Sequence, residues 1–183
     1  MSGHSRWAQI KHKKAASDAK KGKIFSKLSR TITLAAKGPP AGGGADPKTN
    51  PKLAAAIEEA RSANMPSDNI ERAIGRAGEK ESGELKEVLY EVFGPGGSAL
   101  IVSAVTDNPN RTTNEIKHIL AQNDAKLGVA GSAMWAFEKS GNEFKAKFPQ
   151  ALSPEDAKKF EALLETLSDQ DDVEEVYSNA QLP

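Results

Sequence analysis

Ten basic side chains crowd the first 30 residues: Arg6, Lys11, His12, Lys13, Lys14, Lys20, Lys21, Lys23, Lys27 and Arg30. Asp18 is the single carboxylate among them. One acid cannot neutralise this cluster through pairs three or four residues apart on a helix, so it is more than a solvated helix face. Cations at this density displace condensed counterions from a polyanion, which drives sequence-independent binding to nucleic-acid phosphates. His4, Ser5 and Trp7 add hydrogen-bonding and stacking capacity beside them. An acidic membrane surface is the competing polyanion, but the segment lacks the bulky apolar face that such a surface takes up.

Over the whole chain 25 Lys and Arg balance 25 Asp and Glu, and that zero hides an asymmetry. Residues 1–50 hold 11 Lys and Arg against Asp18 and Asp46, a net +9. Residues 51–150 come to −2, and residues 151–183 to −7, with Lys158 and Lys159 against nine carboxylates. A chain polarised in this way points to a polyanion-binding end and a solvated or partner-facing acidic end.

Other groupings carry weaker chemistry. Asp107-Asn-Pro-Asn-Arg-Thr112 gathers a carboxylate, amides, a guanidinium and a hydroxyl where a strand gives way to a helix. Such a set suits a helix cap with Asx turns, an anion contact, or an active site. No base or nucleophile of the right kind stands beside it, and His118 falls two turns further on. Asn108 and Arg111 are therefore secondary nucleic-acid candidates. Gly94-Pro-Gly-Gly97 lacks the Gly-Lys-Ser/Thr of a phosphate loop and precedes a strand, so it reads as a hairpin turn, and Gly42-Gly43-Gly44 fails the same test.

Absence of cysteine excludes disulfides and thiolate metal sites. His4, His12 and His118 have no metal-binding spacing, and the carboxyl-terminal acids do not follow a calcium loop. The expectation is a protein without metal, cofactor, small-molecule substrate or enzymatic activity. No apolar run approaches the roughly 18 residues that span a bilayer, and the amino terminus lacks the apolar middle of a secretory signal. A cytoplasmic protein with no membrane partner is expected.

The elements that position these residues follow from periodicity. Phe25, Leu28, Ile32 and Ala35 fall on one helix face, with Lys20, Lys21, Lys23, Lys27 and Arg30 mainly off it. A Gly/Pro loop at 38–47 breaks that helix. Asn50-Pro51 starts a second one through Leu53, Ile57 and Ala60, and Ser67 is the predicted N-cap of a third, ending near Gly78. Residues 1–78 read as a basic all-helical nucleic-acid-binding domain, 79–84 as a linker, and 85–183 as an α+β domain. In the latter, strands are predicted at Val88–Phe93, Ala99–Thr106, Ser132–Phe137, Glu143–Phe148 and Val173–Tyr177. Two helices complete it, one capped by Thr112 or Thr113 and one by Ser153. The order β-β-α-β-β-α-β implies a mixed sheet with both helices on one face, an α+β sandwich.

Several motifs together resemble the YebC/PmpR family, whose mitochondrial relative is the translational activator of cytochrome c oxidase. They are Gly3-His-Ser-Arg-Trp7, Ile10-Lys-His-Lys-Lys-Ala15, Lys20-Lys-Gly-Lys-Ile-Phe-Ser-Lys-Leu28, Ala63-Asn-Met-Pro66, Asp68-Asn-Ile-Glu-Arg-Ala-Ile74, Tyr90, Gly94-Pro-Gly-Gly97, Thr106-Asp-Asn108, Asn110-Arg-Thr112 and Gly131-Ser-Ala-Met-Trp-Ala-Phe137. The resemblance implies a helical amino-terminal domain joined to α+β domains, without enzymatic activity. It also implies one of two roles: a ribosome-associated translation factor that relieves stalls at proline-rich stretches by binding ribosomal RNA, or a transcriptional regulator that binds duplex DNA. Carried over by residue, the binding set is His4, Ser5, Arg6, Trp7, Lys11, His12, Lys13, Lys14, Lys20, Lys21, Lys23, Lys27 and Arg30. Met65, Pro66 and Asn69 follow as secondary candidates at the turn between helices. The chain departs from the family in passing from Lys139-Ser-Gly-Asn142 into one short strand, so it resembles a shortened member without the third domain. Pro109 stands where the family has a polar residue.

Overall fold

The computed structural model describes residues 18–37, 44–78, 84–141 and 143–183. These divide into two compact units, one within Ala16–Lys86 and the other within Glu87–Pro183.

The first unit is helical. Helix α1 spans Asp18–Ala36, α2 Pro51–Ser62 and α3 Ser67–Gly75, followed by a 3-10 turn at Arg76–Gly78. Leu28, Ile32 and Ala36 of α1 are buried at helical spacing against Leu53, Ala56, Ile57 and Ala60 of α2 and Ile70 and Ala73 of α3. Ile32, Leu53 and Ala60 lose all exposure, and each large aliphatic side chain so buried stabilises by about 1.5–3 kcal/mol. Thr33 Oγ1 lies 2.8 Å from both Ser29 O and Ala73 O, which ties α1 to the end of α3.

Asn50 closes this unit from the loop side. Its Oδ1 accepts the Leu53 N–H at 3.0 Å, and Pro51 fills the first helical position, as the sequence predicts. Its Nδ2 donates to Ala35 O at 2.8 Å and to Gly44 O at 2.7 Å. Helix α2 ends in a Schellman motif: Met65 N–H reaches Ala60 O, Asn64 N–H reaches Arg61 O, and Asn64 takes φ 60°. The expected Ser67 cap is corrected. Ser67 is already helical, Pro66 occupies the cap without a side-chain bond, and its carbonyl accepts from Asn69 and Ile70 N–H.

The second unit is α+β. Strand β1 (Lys86–Phe93) runs through a 3-10 turn at Pro95–Gly97 into β2 (Ala99–Thr106). Then follow α4 (Pro109–Gln122), β3 (Lys126–Leu127), β4 (Phe137–Ser140), β5 (Glu143–Ala146), β6 (Gln150–Ala151), α5 (Pro154–Asp169), β7 (Val173–Ser178) and β8 (Ala180–Gln181). The main sheet has the order β3-β1-β2-β7, with β7 antiparallel to β2 and β3 antiparallel to β1.

Both faces of β2 are covered, which explains its unbroken apolar run. Leu100, Val102 and Ala104 face a core built with Ile116 and Leu120 of α4 and Phe160, Leu163, Leu164 and Leu167 of α5. Ala99 and Ile101 face the opposite way, against Ala133, Ala136, Phe137, Phe144 and Tyr177. Both helices therefore pack on one face, as expected. Within this α+β arrangement the remaining strands form two small sheets: β4 and β5 make a separate antiparallel hairpin across the other face, and β6 pairs with β8 in a parallel two-stranded ribbon.

Two further corrections concern local structure. The expected strand at Ser132–Phe137 is a turn and a 3-10 segment, Met134–Ala136, with the strand beginning only at Phe137. The helix after β2 begins earlier than Thr112 or Thr113, because Asn108 is its cap and Pro109 its first residue. Proline at 109 suits that place, its missing N–H being one that the helix leaves unbonded anyway. Among the described residues no helix is long and apolar enough to cross a membrane.

Candidate nucleic-acid interface

Of the basic set, Lys21, Lys23, Lys27 and Arg30 lie in α1 with described side chains, and Lys20 lies in the same helix. The inward stripe is fixed by Leu28, Ile32 and Ala36, with Ile24, Phe25 and Ala35 packed beside it. That leaves Lys21 and Lys23 exposed and Lys27 and Arg30 half-buried along the flank. A helix amphipathic in this sense presents cations because its apolar side is already taken by α2 and α3. Long lysine and arginine stems cover apolar surface while their charged heads stay in water. His4, Ser5, Arg6, Trp7, Lys11, His12, Lys13 and Lys14 lie outside the described residues, as does most of the expected linker at 79–84.

The secondary candidates have visible structural duties. Met65 is 5% exposed and belongs to the helical core, so it supports the turn from inside. Pro66 is exposed beside it, and the half-buried Asn69 accepts a hydrogen bond from Arg72 through Oδ1.

Asn108 and Arg111 sit in a polar network at the start of α4. Asn108 Oδ1 accepts the Arg111 N–H at 3.1 Å, and Asn108 N–H donates to Thr106 Oγ1 at 2.9 Å. Arg111 Nη2 pairs with Asp172 Oδ2 at 3.0 Å and with Asp107 Oδ1 at 3.2 Å, and Nε approaches Glu115 at 3.8 Å. The hydrogen bond and charge of Asp172, with Asp107 adding to them, raise the pKa of this guanidinium above its ordinary value. Thr106, Thr112 and Asp172 are buried beneath it. Three carboxylates around one guanidinium leave little net positive charge for a phosphate. The loop serves the fold first.

Sequence reasoning missed Glu91. This buried carboxylate on β1 accepts N–H groups from Gly131, from Ala133 at 2.6 Å and from Met134 at 2.8 Å. Burial works to raise its pKa, but the three backbone donors outweigh that and hold it below the ordinary value. A charged residue inside Val88-Leu-Tyr-Glu-Val-Phe93 is the one sequence signal that marked it. Among the described residues no group of three or more His, Asp or Glu converges as a metal site.

Comparison with known proteins extends these observations. Residues 5–80 match the TACO1/YebC protein N-terminal domain, and residues 85–143 match the TACO1/YebC second and third domain. A protein of Caldanaerobacter subterraneus named "Probable transcriptional regulatory protein" is 41% identical, with 100% of this chain and 99% of that protein covered. That alignment runs over 244 positions against the 183 residues of this chain, so the relative holds internal sequence with no counterpart in it. A protein of the same description from Dictyoglomus turgidum is 56% identical over 143 residues, 78% of this chain and 56% of that protein. The crystal structure of a conserved hypothetical protein from Aquifex aeolicus superimposes with a TM-score of 0.85 at 34% identity, covering 97% of each chain. The second family match stops at residue 143, inside the β4–β5 hairpin that leads this chain directly towards α5. The chain therefore belongs to the TACO1/YebC family.

Proposed function

We propose that this protein is a non-enzymatic nucleic-acid-binding regulator of gene expression that grips its target through the basic amino-terminal segment and the cationic flank of α1. The observation that carries this reading is the charge polarity of the chain, +9 over residues 1–50 against −7 over residues 151–183. Support comes from relatives whose names describe transcriptional regulatory proteins. The helical unit keeps its apolar residues for its own core, so its outer face is left to charged side chains and water, with Lys21 and Lys23 exposed on α1.

The specific role proposed is that of a cytoplasmic, ribosome-associated translation factor that binds ribosomal RNA and assists stall-prone, proline-rich sequences. The alternative is a transcriptional regulator bound to duplex DNA, which the names of the relatives favour. Cosedimentation with ribosomes across a salt series, for wild type and a Lys11→Ala, Lys13→Ala, Lys14→Ala variant, separates the two. Wild-type association persisting near physiological salt and lost in the variant supports the ribosomal role. Absence of association at any salt, with a promoter duplex preferred over a scrambled one, supports transcriptional regulation.

A further inference from the structure

Trp135 and Phe148 are the two large aromatic side chains that the α+β unit leaves open to solvent among its described residues, 60% and 50% exposed. Their ring centroids lie 5.7 Å apart at an interplanar angle of 40°, and Lys147 Nζ stands 5.5 Å from the Phe148 centroid. The tilt keeps the two rings from stacking face to face on one another, and each stays half or more exposed. We propose that Trp135, Phe148 and Lys147 form a second nucleic-acid contact, a stacking platform for the unpaired bases of a single strand. The proposal rests on nucleic acid being the ligand of this protein, and it adds a contact chemically unlike the basic amino-terminal segment.

The platform is held by buried groups. Trp135 Nε1 donates to Ser132 O at 2.8 Å, so the polar edge of the indole is satisfied within the chain and its π face is what remains to offer. Upstream, Ala133 and Met134 N–H groups are fixed by the Glu91 carboxylate. Downstream, Lys147 N–H donates to Ala136 O at 2.8 Å, and Phe148 O accepts from Asn179 Nδ2 at 2.8 Å. Asn179, 5% exposed, also accepts the Ala99 N–H of β2 through Oδ1 at 2.8 Å. Both aromatic residues are thus anchored to the sheet before any ligand arrives, which lowers the ordering cost of binding.

The stretch of sequence that carries the platform is basic. Residues 125–150 hold Lys126, Lys139, Lys145 and Lys147 against Glu138 and Glu143. The flanking stretches are acidic: residues 84–124 hold three Lys and Arg against six carboxylates, and 151–183 hold two against nine. Two open aromatic rings with the Lys147 ammonium beside them, on a basic stretch of an otherwise acidic unit, match the pairing of stacking and backbone attraction by which single strands are bound. Duplex bases are stacked on one another and cannot use it.

The test uses the full chain carrying Trp7→Phe, which leaves Trp135 as its only tryptophan. A labelled RNA oligonucleotide of about ten nucleotides is titrated as a single strand and as a blunt duplex, reading label anisotropy and Trp135 emission together. The expected result is quenching of Trp135 by the single strand and none by the bound duplex. Adding Trp135→Ala and Phe148→Ala weakens single-strand binding at least about fivefold, with duplex binding unchanged and a cooperative unfolding transition retained. Single-strand binding seen by anisotropy without a change in Trp135 emission overturns the platform and leaves the amino-terminal contact standing. If neither oligonucleotide binds, the nucleic-acid reading falls as a whole, and the platform with it. Self-association of the unliganded protein that the double substitution abolishes, with oligonucleotide binding intact, also overturns it and makes the patch a protein contact.

Discussion

Asp172, in the turn just before β7, accepts the hydroxyl proton of Thr112 on α4 at 2.7 Å. The same Oδ2 accepts from Arg111 Nη2 at 3.0 Å, and the Asp172 carbonyl accepts the Val105 N–H from β2. Thr112 has a single hydroxyl proton and donates it to this carboxylate, so Thr106 Oγ1, 2.8 Å away, must be the donor to Thr112 Oγ1. The network joins β2, α4 and β7 where their chain ends meet, and its buried members would be orphaned by loss of the carboxylate. Asp172→Ala is expected to destabilise the protein by about 1–3 kcal/mol, while exposed Asp107→Asn changes little. Urea unfolding of both variants checks this, and equal effects would contradict it.

Asn50 poses a sharper question, because its amide is used at both ends. Asn50→Asp retains the acceptor for Leu53 N–H but sets a carboxylate against the carbonyls of Ala35 and Gly44. Asparagine and aspartate are nearly equal as simple caps. At this position Asn50→Asp should cost about 1–3 kcal/mol, measured by thermal or urea unfolding at neutral pH. A variant as stable as wild type would show that the two donated bonds contribute nothing.

Glu91 links stability to pH. Its folded-state pKa is depressed below the ordinary 4.5, so its contribution is present above the unfolded value and is lost as pH falls through the folded one. Glu91→Gln is expected to lower stability at pH 7 and to flatten the acid limb below about pH 4.5. Stability measured across pH 3–7 checks the sign, and an acid limb identical in both proteins would contradict it. Trp135 emission should respond to the same substitution, because the loop that carries the indole is held by this carboxylate.

Local signals in the sequence were sufficient where chemistry and geometry coincide within a few residues. Asn50-Pro51 and Ser153-Pro154 mark helix starts because cap and first helical position are adjacent, and both are found in those roles. The run Ala99–Thr106 marks a strand covered on both sides because almost every residue in it is apolar. The Met134–Ala136 turn was illegible: its backbone bonds run to Glu91, over 40 residues earlier, and local composition there favours a strand. Two-residue strands such as β3, β6 and β8 have no period to detect. The pairing of Arg111 with Asp172 was illegible because the two residues lie 61 positions apart in the chain. Lys21 and Lys23 were placed on the outer side of α1 by periodicity alone, and they are exposed there.

The claim that the basic amino-terminal segment grips phosphates is tested most directly by the salt dependence of nucleic-acid affinity. Each phosphate contact contributes about 0.7 (single strand) to 0.9 (duplex) to the slope of log K against log salt. Replacing Lys11, Lys13 and Lys14 by alanine should therefore reduce the magnitude of that slope by about 2 to 3 and weaken binding across all sequences alike. A variant with unchanged slope and affinity would contradict the account and place the contact elsewhere on the chain.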